Sequence, residues 1–316
     1  MFFIVGPTAA GKSELAADVA HELSAEIVSA DAFQIYCGLD LLTAKPAAST
    51  LAKAPHHLIG TVSLSEERNA EKYRRDAACS IAEINSRGKL AIIVGGTGLY
   101  IKALTHGLAP LPESDPKLRD KLTAMDLDEL SARLAELDAK MAQKIDLKNR
   151  RRVVRALEIC LLTGKSMSEA LAGHTTVPEE VVRRQSAQST GAASSVPAKS
   201  VFVFRDREEL YHRINQRVRM MFECGVIEEV RTAGTTSATA SQMIGLREIR
   251  ELLAGKKPVS QCIAEIQQST RRYAKRQLTW FRRQTNFFPL NLSLLTHNEA
   301  VKRISLRNSL GGRNTG

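Results

Sequence analysis

Cysteine is scarce in this chain: Cys37, Cys79, Cys160, Cys224 and Cys262 are all it has in 316 residues. Their number is odd and they are widely scattered, so no disulfide framework is indicated. No pair has Cys-x-x-Cys spacing, so a cysteine-built zinc site is not expected, and the set suits a reducing compartment. No stretch approaches the about 20 consecutive apolar residues of a membrane-spanning helix, so no membrane partner is expected. The opening MFFIVG lacks a charged leader and runs straight into a motif, which argues against a signal peptide and for a cytoplasmic protein. No internal repeat is evident.

The chain does hold 43% hydrophobic residues, enough for a sizeable core, which excludes a disordered or fibrous protein. Its charge is uneven. Lys plus Arg number 45 against 34 Asp plus Glu, a net +11. Residues 1–147 carry 16 basic and 20 acidic side chains, net −4, whereas residues 148–316 carry 29 and 14, net +15. A basic half suggests a polyanionic partner, nucleic acid ahead of membrane; a generic basic surface is the alternative.

Short apolar runs at 2–5, 26–29 and 90–94 read as buried parallel strands, with helical patterns at 13–23 and 70–87 between them. That alternation predicts a doubly wound α/β sheet. Pro110, Pro112 and Pro116 mark a linker, and helical signals fill 117–164 through Leu118, Leu122, Leu127, Leu130, Leu134, Leu137, Val153, Val154, Leu157 and Leu161. The small polar stretch 185–199 reads as a flexible loop. A strand is expected at 201–204, helices at 207–233 and 259–284, and a frayed end after about 288. The expected organisation is an α/β, P-loop nucleoside-triphosphate-hydrolase-like core with a parallel sheet, formed by 1–112 and 198–316. A helical subdomain, 113–197, is inserted into it.

Gly6, Pro7, Thr8, Ala9, Ala10, Gly11, Lys12 and Ser13 match G-x-x-x-x-G-K-[ST], after a strand and before a helix. Glycines let successive backbone N–H groups face an anion, and the helix start adds partial positive charge. Lys12 supplies a point charge to phosphate oxygens, and the Ser13 hydroxyl can ligate Mg²⁺. A di- or triphosphate is expected here. The 90–94 run ends in Gly95-Gly96-Thr97-Gly98 rather than in a metal-ordering acid; the acid instead follows the second strand, at Asp31. Off the carboxyl end of a strand it faces the phosphate site, as a kinase or transferase base would. A loop-capping Asp is the alternative.

Several segments together resemble the tRNA dimethylallyltransferases (tRNA isopentenyltransferases): GPTAAGKS (6–13), DAFQIYCGLDLLTAKP (31–46), HHL (56–58), GGTGLY (95–100), RRVVRALEICLLTGK (151–165), LYHRINQRV..M (210–221) and TRRYAKRQLTWF (270–281), the last preceded by IGLREI (244–249). The blocks keep the family's order across nearly the whole chain. Ala32, Cys37, Leu42, Gly60, Asn149, Leu246 and Arg247 depart from its usual residues.

The resemblance implies dimethylallyl diphosphate as donor, Mg²⁺ as cofactor and tRNA as acceptor. The transfer it implies goes to the exocyclic N6 amine of the adenosine 3′-adjacent to the anticodon, in tRNAs reading codons that begin with U. Asp31 would be the general base, with Thr97 beside it. Arg213 and Arg217, spaced i, i+4, would aim at the leaving diphosphate from one helix face. The target base, flipped from the stack, would lie against Asp31, Ala32, Phe33 and Gln34, with Thr97 near. Arg119, Arg151, Arg152, Val153, Val154 and Arg155 match the family's tRNA-contacting segments, so the inserted subdomain is expected to bind tRNA. The Arg271–Trp280 block interleaves cations and aromatics in a manner that suits RNA, although Trp280 and Phe281 read as packing residues. No obligate protein partner is expected, and a monomer is. The alternatives are an adenylate isopentenyltransferase acting on a free nucleotide, a small-metabolite P-loop kinase, and an RNA-binding protein with a dead nucleotide site.

Overall fold

A computed structural model describes residues 1–172 and 200–309, so the loop expected at 185–199 lies outside the described residues. These residues divide into two compact units, 1–106 with 200–309, and 107–172. The larger unit is built on six parallel strands: β1 (Phe2–Val5), β2 (Glu26–Ala30), β3 (His56–His57), β4 (Ala91–Gly95), β5 (Val201–Phe204) and β6 (Phe288–Asn291), in the order β3-β2-β4-β1-β5-β6.

The central strands are wholly buried and, apart from Glu26 and Ser29 of β2, carry only apolar residues and glycine, and their side chains divide by alternation between two cores. Phe3, Val5, Val28, Ala30 and Ile93 face one core, closed by Tyr73 and Ala77 of helix Ala70–Ser86, Ile101 of helix Gly98–His106, and Ile266 and Phe281 of helix Val259–Arg282. Phe2, Ile4, Ile27 and Ile92 face the other, closed by Leu15 and Val19 of helix Lys12–Glu22 and by Val301 and Ile304 of helix His297–Ser309.

The carboxyl-terminal expectation was incomplete. Residues beyond 288 form β6, paired with β5, and then the closing helix; Leu290, Leu292, Ala300, Val301 and Ile304 are buried, and that burial holds the segment in place. The single helix expected over 207–233 is two, Arg207–Glu223 and Val226–Thr232. Gly225 separates them at φ 95°, a left-handed turn that ends a helix without the clash a Cβ would bring. Strand β3 carries no apolar run and was not visible to periodicity.

The smaller unit packs helices Pro116–Ala124, Leu127–Leu137, Ala139–Lys144 and Arg150–Thr163 around Leu122, Leu130, Leu134, Val153 and Leu157. The presumed proline linker is anchored rather than free. Glu158, fully buried, accepts from Ser114 Oγ at 2.5 Å and Asp115 N at 3.1 Å, and Arg155 donates to the Pro112 carbonyl at 2.6 Å. Pro116 is the first residue of a helix capped by Asp115, where a missing N–H is harmless. Among the described residues no helix is long and apolar enough to cross a membrane.

Candidate active site

The carboxyl ends of β1, β2, β4 and β5 belong to the larger unit and gather at one edge of the sheet, where open α/β sheets bind ligands. β1 runs into the phosphate loop. A Cβ on Gly6 would lie 2.1 Å from the Val203 carbonyl oxygen, so only glycine lets the loop leave β1 beside β5. Ala9, at φ 63°, is a left-handed non-glycine residue, and no side chain caps the helix that begins at Lys12. That helix start keeps backbone N–H groups without intrahelical acceptors, a ready anion seat.

Three arginines grip the loop from outside. Arg205 Nε donates to the Ala10 carbonyl at 3.0 Å, Arg213 Nε to the Ala9 carbonyl at 2.9 Å, and a terminal nitrogen of Arg217 to Thr8 Oγ1 at 2.7 Å. Arg217 Nε is buried and has no hydrogen-bond partner among the described residues. Lys12 Nζ donates to the Pro7 carbonyl at 2.7 Å; loss of water pushes its pKa down to about 8, Asp31 opposing and Arg217 adding to the shift. Burial likewise lowers the pKa of Arg213 and Arg217, each further disfavoured by a neighbouring arginine. Desolvated cations that repel one another form an environment that a polyanion stabilises.

The opposite wall comes from the loops after β2 and β4. Asp31 Oδ1 accepts from Phe33 N at 2.9 Å and Gln34 N at 3.3 Å, so that oxygen does cap its own turn. Oδ2 carries no hydrogen bond among the described residues, and the residue lines the cavity. Thr97 Oγ1 accepts from Ala32 N at 3.1 Å, while its N–H donates to the Ala30 carbonyl at 3.3 Å, tying the two loops together. Gln34 Nε2 donates to the carbonyls of Thr43 and Ala44, at 3.3 and 2.9 Å, which leaves Oε1 as its unengaged end. Ala32 and Phe33 lean on the hydrophobic core.

Gln277, on helix Val259–Arg282, joins the walls. Its Oε1 accepts from Thr8 N at 2.9 Å and its Nε2 donates to the Gly96 carbonyl at 2.8 Å. Between these walls lies a cavity of about 570 Å³, lined by Lys12, Ser13, Asp31, Gln34, Arg213 and Arg217 with apolar Leu41, Met220 and Met221. It has the size and mixed lining of a small-molecule site.

The family model described as IPP transferase matches residues 34–284. This chain belongs to that family. It is 40% identical over 289 residues to tRNA dimethylallyltransferase 1 of Citrifermentans bemidjiense, covering 90% of this chain and 89% of the relative. It is 41% identical over 291 residues to the tRNA dimethylallyltransferase of Geobacter sulfurreducens, covering 90% and 89%. Among solved structures, the full-length tRNA isopentenylpyrophosphate transferase of Bacillus halodurans matches with a TM-score of 0.66 at 32% identity, covering 98% of this chain and 95% of that one. A eukaryotic dimethylallyltransferase acting on tRNA matches with a TM-score of 0.75 at 25% identity, covering 100% and 80%.

Within this IPP transferase, the sequence-predicted residues of the larger unit converge: 6–13, Asp31, Gln34, Arg213 and Arg217 all meet at or beside the one cavity, and Thr97 bonds to the Asp31 loop. The predicted residues of the smaller unit divide. Arg151 and Arg152 are exposed, but Val153 and Val154 are buried in the unit's core, so their side chains offer nothing to an RNA surface. Arg119 and Arg155 hold the buried Glu158 at 2.9 and 2.5 Å; burial pushes that carboxyl's pKa up, and hydrogen bonds from Ser114, Arg155 and Arg119 more than reverse it. Both arginines are therefore structural ties first. Asn149 caps helix Arg150–Thr163 as an Asp would, so that departure leaves the helix start intact.

Two site residues escaped sequence reasoning. Arg205 follows β5 as Asp31 follows β2, and strand-end position was its available signal. Gln277 stands with Thr270, Ala274 and Phe281 on the buried stripe of its helix, and a polar residue on such a stripe was the other.

Proposed function

We propose that this chain is a tRNA dimethylallyltransferase that moves a dimethylallyl group from dimethylallyl diphosphate to N6 of the adenosine 3′-adjacent to the anticodon. The observation that carries the reading is one cavity with a cationic phosphate loop on one wall and the free Asp31 oxygen on the other, in a chain of the IPP transferase family. The substrate tRNAs are those reading codons that begin with U, and the enzyme works in the cytoplasm.

The reaction breaks the bond between the allylic carbon and diphosphate and forms one from N6 to that carbon. Negative charge grows on the leaving diphosphate. The loop amides, Lys12, Arg213 and Arg217 stabilise it, preorganised where that charge develops. The amine is a weak nucleophile whose proton must leave. Asp31 Oδ2 accepts it, while Oδ1 stays bonded to the turn that orients the carboxylate. Thr97 keeps the Asp31 loop in place. Gln34 Oε1 is the acceptor offered to the edge of the flipped base. Leu41, Met220 and Met221 provide apolar surface for the prenyl chain.

Among the described residues no cluster of three or more His, Cys, Asp or Glu could cage a metal. Mg²⁺ needs no such cage, because it binds through one or two protein oxygens and keeps substrate phosphates and waters. The Ser13 hydroxyl lines the cavity without a hydrogen-bond partner among the described residues and fits that demand. When bound, the ion adds positive charge at the departing diphosphate. Arg151 and Arg152 supply phosphate contacts to the tRNA.

The test is incubation with unmodified tRNA, AMP or ATP, labelled dimethylallyl diphosphate and Mg²⁺. Label should enter tRNA. Label entering AMP alone, or nucleotide hydrolysis without transfer, overturns the proposal.

A further inference from the structure

We propose that Gln277 is a positioning residue for the transfer: one buried amide fixes the distance between the donor-holding loop and the acceptor-holding loop. The inference rests on the function proposed above. Gln277 is 6% exposed. Its orientation is unambiguous, because a backbone N–H must meet Oε1 and a backbone carbonyl must meet Nε2.

The two partners are not equivalent loops. Thr8 belongs to the phosphate loop, and its hydroxyl is held on its other side by Arg217. Gly96 precedes Thr97, whose backbone and hydroxyl bond to Ala30 and Ala32 on either side of Asp31. The chain of contacts therefore runs from Arg217 through Thr8, Gln277 and the Gly96–Thr97 peptide to the Asp31 turn. Gly96 is part of the same device: a Cβ there would sit 2.3 Å from Gln277 Nε2, so only glycine admits the amide. One turn earlier, the Tyr273 hydroxyl lies beside Thr97 and Gln277, and burial pushes its pKa up to about 12, which keeps it a neutral donor. The outer face of the same turns carries exposed Arg272, Lys275 and Arg276. One helix thus offers cations to solvent and, on its inner face, sets the spacing of the reacting groups.

The test compares Gln277→Leu and Gln277→Glu with wild type, measuring kcat and donor KM across pH. Leucine removes both hydrogen bonds. Displacing reacting groups by about 1 Å costs about 100-fold, so Q277L should lose about 100-fold in kcat with only a few-fold change in donor KM. In Q277E an ionised carboxylate opposes the Gly96 carbonyl, whereas the protonated acid can donate to it as the amide does. Buried, with one oxygen against the Gly96 carbonyl, that acid should regain activity relative to wild type by about tenfold as pH falls from about 8 to about 6, while the Q277L ratio stays flat. Circular dichroism and thermal melting of each variant report folding at every pH. The inference is overturned if Q277L keeps wild-type kcat, if the Q277E ratio is flat with pH, or if lost activity merely tracks lost folded protein. Wild-type protein that transfers no prenyl group overturns the underlying function and this inference with it, a result distinct from active wild type with indifferent variants.

Discussion

At the scale of single residues, Lys12 and Asp31 line one cavity and take opposite parts in the proposed reaction. Burial pushes the pKa of Lys12 down to about 8, whereas the proposed diphosphate ligand favours its charged form. Binding must therefore take up a proton above that value, and the dissociation constant for inorganic diphosphate should rise about tenfold per pH unit beyond it. Calorimetric titration checks this, and a flat profile between about pH 7 and about pH 9.5 would assign the charge elsewhere. Arg155 and Arg151 differ in their surroundings: the first is tied to Glu158 and the second is exposed. Arg155→Ala removes a ligand of buried Glu158 and should cost about 1–2 kcal/mol of stability in thermal or urea unfolding. The double change Arg151→Ala, Arg152→Ala should leave stability within about 0.5 kcal/mol and reduce the salt slope of tRNA affinity by about one to two. The reverse pattern would exchange their roles.

At the scale of elements, the helix Val259–Arg282 and the Gly95–Gly98 turn are fitted to each other. Gly98 brings its Cα under the Trp280 ring, where a Cβ would lie 2.7 Å from ring carbon. Gly98→Ala should therefore overpack the contact and cost about 1–3 kcal/mol. Trp280 is the only tryptophan, so its fluorescence reports the displacement directly alongside the melting curve. An unchanged spectrum and midpoint would show that the ring has room to yield. Most of these elements were legible beforehand: apolar runs ending in glycine marked β1 and β4, and the 3.6-residue period marked the flanking helices. β3, two residues long, had no pattern to read. The break at Gly225 was missed because the apolar period continues through it from Val218 to Val226 and Val230, while the backbone turns.

At the scale of the whole molecule, the segment 288–309 closes one side of the sheet. It adds β6 to the edge and covers Leu15 and Val19 with Ala300, Val301 and Ile304. His297 and Ser305 bond Asp18 and Glu22 of the facing helix at 2.7 Å each. Removing residues 288–316 should expose that core face, with gain of dye binding and rapid proteolysis of the larger unit; a truncated chain that melts as the full one does would refute it. The tail reads as frayed in sequence because its last residues are small and polar, while its buried residues are spread among exposed ones.

The sequence by itself determined the class of the protein. A glycine-rich loop between strand and helix, an acid at a strand end and a basic second half are local patterns, and local patterns encode backbone shape and charge. The tertiary structure decided which groups meet. That Asp31 keeps one oxygen free, that Arg155 is tied to a buried carboxylate while Arg151 is not, and that Gln277 bridges loops 269 residues and 181 residues away along the chain depend on packing between distant segments. No periodicity carries that information, because a side chain's partner is set by the fold's folding-back and not by its neighbours in sequence.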